Sequence, residues 1–158
     1  MSTNYLLLIA VGIGIVAGLR ALTAPAALSW AAHLGWLNLQ GTVLAFMGST
    51  IAVAIFTIAA LVEYVTDQRP KTPARTVPQQ LIARLVTGGL SGACICASGG
   101  QSLLVGAVAG AVGALIGTYG GYQVRTRLVN SLNVKDIFVA IPEDLVAIGL
   151  AYWLASPR

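Results

Sequence analysis

The segment TVLAFMGSTIAVAIFTIAALVEYV, residues 42–65, contains a single charged side chain, Glu63. A helix needs about 20 predominantly apolar residues to cross the hydrocarbon core of a bilayer. Further apolar stretches lie at residues 5–34, 81–98, 102–122 and 137–154. Because only helices and closed barrels can span lipid, the sequence predicts an all-α fold, a polytopic bundle of about five transmembrane helices.

The composition also indicates a membrane protein. The chain has 158 residues, of which 57% are hydrophobic and only 9% are charged. Soluble domains carry about 25% charged residues. Too few polar side chains are present to cover a water-exposed surface, so we predict that most of the surface faces lipid. Because the apolar stretches use nearly the whole chain, we predict a single transmembrane domain over residues 1–158.

The first apolar stretch, residues 5–34, is longer than one crossing requires and is interrupted by Arg20, Thr23 and Pro25. Proline removes a backbone donor and clashes with the preceding helical turn. We therefore predict that this helix is broken or kinked near Arg20–Pro25. The sequence leaves open whether the stretch is one long kinked span or a hairpin.

Basic residues are concentrated in two polar segments. The segment after residues 42–65 and the polar stretch 123–136 contain most of them: Arg69, Lys71, Arg75, Arg125, Arg127 and Lys135. Because cytoplasmic loops carry an excess of Lys and Arg, we predict that both segments face the cytoplasm of a bacterial inner membrane. The N-terminus is then cytoplasmic if the first stretch crosses once, and lies outside if that stretch is a hairpin.

The sequence pI near 9.4 raises the question of nucleic acid. Topology signals and contacts with lipid headgroups explain basic residues in a membrane protein, and the sequence has no basic run with interleaved aromatic residues. The lipid bilayer is therefore an expected partner, and nucleic acid is not.

Glycines recur along residues 102–122. Gly106 and Gly110, Gly113 and Gly117, and Gly117 and Gly121 each form a pair separated by three residues. This spacing lets helix backbones approach closely in lipid. A neighbouring helix of the same chain or of a second copy would satisfy it. We expect a homo-oligomer that assembles through this glycine-rich helix.

The acidic residues are the first candidates for a functional site, because the chain has only five: Glu63, Asp67, Asp136, Glu143 and Asp144. A charged side chain at bilayer depth is costly and needs a partner or a wet cavity. Glu63 and Asp67 are four residues apart and share a helix face. We predict that these two converge with Glu143 and Asp144 to bind a proton, a hard cation or another small substrate. Asp136 is predicted to be the N-cap of the last helix.

Arginines are the second group of candidates. Arg20 is the deepest basic residue and is predicted to pair with Glu63, Glu143 or Asp144. Its role is either a structural ion pair or an anion ligand beside the helix break, where a helix N-terminus would add positive charge. Residues that could bind an anion or a lipid phosphate are Arg75, Arg84 and Arg125.

Signals for an enzyme are weak. His33 is the only histidine, and we expect it near the opposite interface, away from the carboxylates. Cys94 and Cys96 lie in an apolar stretch and are expected to be packing residues. Because no serine or cysteine has a general base at a recognisable spacing, we predict neither enzymatic activity nor a cofactor.

Three strings resemble a known family: GLRALTAPAA at residues 18–27, EYVTDQRPKTPART at residues 63–76 and PEDLVAIGLA at residues 142–151. They are similar to a group of small bacterial membrane proteins classified as a domain of unknown function. The resemblance implies a bacterial inner-membrane protein and no defined activity. Because its motifs coincide with the charged residues selected above, we predict one site formed by Arg20, Glu63, Asp67, Arg75, Glu143 and Asp144.

From these patterns we predict a small transporter or channel for an ion or a small solute. One alternative is a protein that binds lipid headgroups or handles lipids through its basic loop. A second alternative is a structural or accessory membrane subunit, in which the charges form only internal ion pairs.

Overall fold

The computed structural model describes residues 2–67, 74 and 76–157. Within these ranges the chain forms one short 3₁₀ turn, Ala45–Gly48, and helices but no strands. The α-helices are α1 (Thr3–Leu19), α2 (Thr23–His33), α3 (Thr50–Asp67), α4 (Pro78–Ser98), α5 (Leu103–Leu132) and α6 (Asp136–Ala155). The predicted all-α fold is confirmed.

Four of these helices, α3 to α6, are long and apolar enough to cross a membrane. Helix α1 is apolar but shorter, with 17 residues. Many large apolar side chains on the outer faces are exposed, for example Ile51, Ile58 and Leu145. Because such faces are stable in lipid and not in water, the chain is a multi-pass membrane protein with the predicted helix bundle.

The first apolar stretch is a hairpin. Helix α1 ends at Leu19, Arg20 is extended, and α2 begins at Thr23. Leu6 at the start of α1 contacts Gly99 at the end of α4, and Trp36 just after α2 packs on Tyr152 near the end of α6. Both open ends of the hairpin therefore lie at one end of the bundle, and its tip lies at the other.

The predicted break near Arg20–Pro25 is confirmed, and local geometry explains it. Arg20 has φ −142° and ψ 109°, which stops α1. Pro25 is the third residue of α2, in the first turn, where a missing backbone N–H leaves no hydrogen bond unmade. Pro25 therefore lies where a helix can begin, and the reversal itself occurs at Arg20–Leu22.

Helices α1, α4 and α5 form a core with backbone-to-backbone contacts. A Cβ on Gly110 would lie 2.1 Å from the Gly88 carbonyl oxygen, and one on Gly14 would lie 2.1 Å from the Gly110 carbonyl oxygen. Four of the glycines that form pairs along residues 102–122 face α1 or α4 in this way: Gly106, Gly110, Gly113 and Gly117. Since neighbours within the chain satisfy the spacing, it no longer supports a homo-oligomer through residues 102–122.

Three element boundaries differ from the sequence expectation. Helix α3 starts at Thr50 because Ala45–Gly48 forms the 3₁₀ turn. Helix α5 continues through polar residues that lack glycine and proline, and ends at Leu132 before Asn133, whose φ of 50° is left-handed. The prediction that Asp136 is an N-cap is wrong, because Lys135 occupies that position and Asp136 is the first helical residue.

Helix α2 lies between α3 and α6 and contacts both of them. Its Thr23 hydroxyl is 2.6 Å from that of Tyr64 on α3, and the indole of Trp30 donates a 3.0 Å hydrogen bond to the Thr57 hydroxyl. Helix α6 contacts both helices of the hairpin, α1 and α2. This order positions the side chains of α3 and α6 around the hairpin tip.

Candidate functional site

The first element of the site is a carboxylate at the N-terminus of α2. Leu22, the N-cap residue, has no side-chain capping bond. Instead, Glu63 of α3 accepts hydrogen bonds from the backbone N–H groups of Ala21 (2.8 Å) and Leu22 (2.9 Å). Negative charge is stabilised at a helix N-terminus, where backbone donors are unpaired. Glu63 therefore caps α2 from a neighbouring helix.

The C-terminal end of α1 is held from the other side of the hairpin. The Gly18 carbonyl accepts a 2.7 Å hydrogen bond from Nη1 of Arg84 on α4 and a 3.4 Å bond from the Thr118 hydroxyl on α5. Nη2 of Arg84 is also 3.9 Å from Oδ2 of Asp67. The Arg84 side chain is only 1% exposed. Arg84, which the sequence suggested as a ligand for an anion or a lipid phosphate, therefore lies inside the bundle, where a headgroup does not reach it.

The centre of the site is Arg20, whose side chain is 0% exposed. Its Nε donates a 2.5 Å hydrogen bond to Oδ1 of Asp144 on α6, and its Nη1 pairs with Asp67 on α3. Its guanidinium carbon lies 5.6 Å from the centre of the Tyr64 ring. Arg20 therefore links α3 to α6 through charge-assisted hydrogen bonds, and the two carboxylates keep 14% and 12% exposure.

A second ion-pair group lies beside the first. Arg125 of α5 pairs with Asp136 and with Glu143, the latter at 3.4 Å. The consecutive residues Glu143 and Asp144 thus pair with different arginines. Arg125 nevertheless interacts electrostatically with both Asp67 and Asp144, so the two groups are neighbours.

The predicted convergence of carboxylates can now be compared residue by residue. Three of the four, Glu63, Asp67 and Asp144, surround the hairpin tip, whereas Glu143 belongs to the adjacent Arg125 group. Arg20 pairs with Asp144, which was one of its three predicted partners, and also with Asp67, which was not. Arg75 lies outside the described residues.

The remaining candidates do not add ligands to the site. His33 lies near the open end of the hairpin, with its Nδ1 3.0 Å from the Gly48 carbonyl oxygen. Cys94 and Cys96 are buried free thiols. Among the described residues, no group of three or more His, Cys, Asp or Glu side chains could hold a metal ion.

Sequence reasoning did not select the hydroxyl groups of the site. Thr23 and Tyr64 join the start of α2 to α3, and Thr118 contacts the end of α1. Thr23 and Tyr64 lie within two of the quoted strings, close to Arg20 and Glu63, and this proximity in sequence could have identified them. Thr118 lies in the glycine-rich helix and had none.

The arrangement has one general chemical property. The charged groups at the hairpin tip bind to one another or to the backbone of the hairpin. An ion that binds Arg20, Glu63 or Arg84 would therefore compete with the protein partners of that side chain. Binding at this site would for that reason alter the contacts that hold the hairpin to α3, α4 and α6.

Comparisons with known proteins identify a family for the chain. No curated protein and no solved structure matches the chain at a significant level. The match is to a family described as a domain of unknown function, DUF4126, and it covers residues 7–156. The quoted strings lie within the matched range. Since the match spans nearly the whole chain, the protein belongs to the DUF4126 family.

Proposed function

We propose that the protein is a small transporter or channel of the bacterial inner membrane that moves an ion or a small solute. The proposal is carried by one observation. Arg20, which is fully buried, binds Asp67 and Asp144 from two different helices, and both carboxylates keep contact with the surface. The proposed role is that of a membrane carrier, with no enzymatic step and no cofactor.

The energetic argument supports a functional role for the ion pairs. Removing two charges from water costs several kcal/mol per ion, and apolar residues of the same volume often give an equally stable structure. Ionisable groups inside membrane helices therefore mark ion or substrate pathways as a rule. Here such groups meet at the tip of a helical hairpin, beside the N-terminus of α2, and half-helix N-termini also lie at the substrate sites of many transporters.

The positive-inside rule supports an orientation for the site. If the basic segments lie in the cytoplasm, the hairpin tip and the carboxylates lie at the cytoplasmic end of the bundle. The start of α1, the loop after α2 and the end of α6 then lie on the outer side. In this orientation the N-terminus lies outside, which is the alternative that the sequence analysis gave for a hairpin.

A structural role is the second candidate, and a specific observation favours it. Glu63, Arg84 and Thr118 complete the backbone hydrogen bonds at the two helix ends of the hairpin. If the cluster did only this, its removal would lower stability and no ion flux would exist. A lipid-handling role would depend on Arg75 and Arg125; the latter keeps 15% exposure and is already ion-paired.

The test is electrogenic transport in proteoliposomes. Solid-supported membrane recordings would apply steps of protons, monovalent and divalent cations, and small organic and inorganic anions. We expect one of these steps to produce a current in the wild-type protein. We expect the current to be lost in Asp144→Asn and Glu143→Gln but kept in Arg127→Gln, which changes an exposed charge on α5. Folded wild-type protein that gives no current with any step would overturn the proposal.

A further inference from the structure

A second site lies between α2, α3 and α6. These helices border an open groove of about 390 Å³ whose lining is almost entirely apolar. Its floor includes Ala26 and Ala27 of α2, and its walls include Leu61 of α3 and Ile148 of α6. Binding pockets for small organic molecules have volumes of about 300–1,000 Å³ and linings of this kind.

Aromatic side chains mark both ends of the groove. At one end Trp36 and Tyr152 pack edge to face, with ring centroids 5.8 Å apart. Trp30 lines the groove between its ends, and Tyr64 lines the end nearest the hairpin tip, where its hydroxyl meets that of Thr23. The lining is therefore rich in π-faces, which attract organic cations when water is excluded.

Charge is found one turn beyond the hairpin-tip end of the groove. Asp144 precedes the lining residue Ile148 by four positions, and Asp67 follows the lining residue Tyr64 by three. These spacings place each carboxylate on the same helix face as the lining residue. Arg20 joins the two carboxylates across this end. The Asp67–Arg20–Asp144 bridge therefore lies about one helical turn beyond the lining residues, at the hairpin-tip end of the groove.

The net charge of the bridge decides which sign of charge the groove favours. Arg20 is 0% exposed, whereas Asp67 and Asp144 are 14% and 12% exposed. The bridge contains two carboxylates and one guanidinium, so its net charge is negative, and the guanidinium is the most deeply buried of the three groups. Charge complementarity and the aromatic lining both favour a cation over an anion.

From this geometry we propose that the groove binds a lipophilic organic cation, such as a quaternary ammonium or phosphonium compound. The apolar body lies between α3 and α6 against α2, and the positive charge lies against Asp144 and Asp67. The inference concerns binding and does not depend on transport. If the protein does transport, the same site defines the class of substrate.

The first experiment compares two ions of the same shape and opposite charge. Purified protein in detergent is titrated with tetraphenylphosphonium or tetraphenylborate, and binding is followed by calorimetry and by the fluorescence of Trp30 and Trp36. We expect saturable binding of the phosphonium, with an affinity at least about tenfold higher than that of the borate. Equal affinities, tighter binding of the borate, or no saturable binding of either ion would overturn the proposal.

Variants then locate the site. Asp144→Asn is expected to weaken phosphonium binding by about tenfold, because a nearby opposite charge is lost. Ala27→Phe keeps every ion pair and fills the groove, so it is expected to abolish binding even if Asp144→Asn folds poorly. Asp136→Asn removes a carboxylate that is 61% exposed and outside the groove lining, and should bind normally. Unchanged affinity in Ala27→Phe would refute the assigned site.

The outcomes separate this inference from the proposed transport. Phosphonium binding without flux of any solute would support the proposed binding site and refute the proposed transport. Flux of inorganic ions without phosphonium binding would keep the transporter and remove the site.

Discussion

The carboxylate of Glu63 lies 2.8 Å from the backbone nitrogen of Ala21, so a side chain of α3 caps a helix that has no capping side chain of its own. The contact joins residues 42 positions apart in the chain. It therefore fixes the hairpin tip to a helix that the chain forms only later.

Replacing Glu63 by alanine leaves the N–H groups of Ala21 and Leu22 without their acceptor. We expect the free energy of unfolding to fall by about 2–3 kcal/mol, because hydrogen bonds to a charged group are lost inside the bundle. Glu63→Gln retains one acceptor oxygen and should lose less. Thermal unfolding in detergent measures both. Formate should restore part of the stability of Glu63→Ala only; equal losses in the two variants would contradict the capping role.

Replacing Arg20 by leucine leaves Asp67 and Asp144 without their shared cation. Removal of one partner from a buried ion pair costs about 3–5 kcal/mol, since the remaining charge is uncompensated. We expect a loss of this size in the free energy of unfolding. Adding Asp144→Asn to Arg20→Leu should recover part of it. In contrast, Arg127→Leu should change stability little, because Arg127 is exposed.

Two glycines on α5 provide a matched test of the core. A Cβ at Gly110 would lie 2.1 Å from the Gly88 carbonyl oxygen, whereas a Cβ at Gly120 would have nothing within 4 Å. Gly110→Ala must separate α4 from α5, and we expect a loss of about 1–3 kcal/mol or more in unfolding free energy. Gly120→Ala should be neutral or stabilising by up to about 1 kcal/mol, since alanine favours helix. Similar stabilities for the two variants would refute the close packing of α4 and α5.

The hairpin predicts that Ser2 and Asn38 lie on the same side of the membrane. Single cysteines at these positions, in a background with Cys94 and Cys96 replaced by alanine, are labelled in intact cells with a membrane-impermeant maleimide. We expect both to react from outside, and a cysteine at Ser131 to react only after permeabilisation. A single kinked span would place Ser2 and Asn38 on opposite sides, so that only one would be labelled in intact cells.

The helices and the position of the break could be predicted from the sequence because they depend on local properties. Apolar runs of sufficient length and the position of Pro25 need no tertiary information. The hairpin could not be predicted in this way, because a reversal of the chain and a kink within one helix are both compatible with the same sequence pattern. It became visible only through contacts such as Leu6 with Gly99, which are distant in the chain.

The candidate site was predictable in membership and not in pairing. The high cost of charge in lipid selected Arg20, Glu63, Asp67 and Asp144 as candidates, and the structure places these four side chains at the hairpin tip. Which carboxylate meets which arginine depends on the rotation of each helix about its axis. Glu143 and Asp144 differ by one position, about 100° on the helix, and therefore pair with different arginines. The glycine spacing was ambiguous for a similar reason, because it does not identify the neighbouring helix.

The backbone contacts among α1, α4 and α5 also determine which parts of the protein are able to move. Where a carbonyl oxygen touches a glycine Cα, a tilt or slide of one helix produces a steric clash, so these three helices behave as one rigid body. Helices α2, α3 and α6 have no comparable glycine seam with them among the described residues. Backbone contacts of this kind therefore oppose displacement of α2, α3 and α6 less than displacement within the group of α1, α4 and α5.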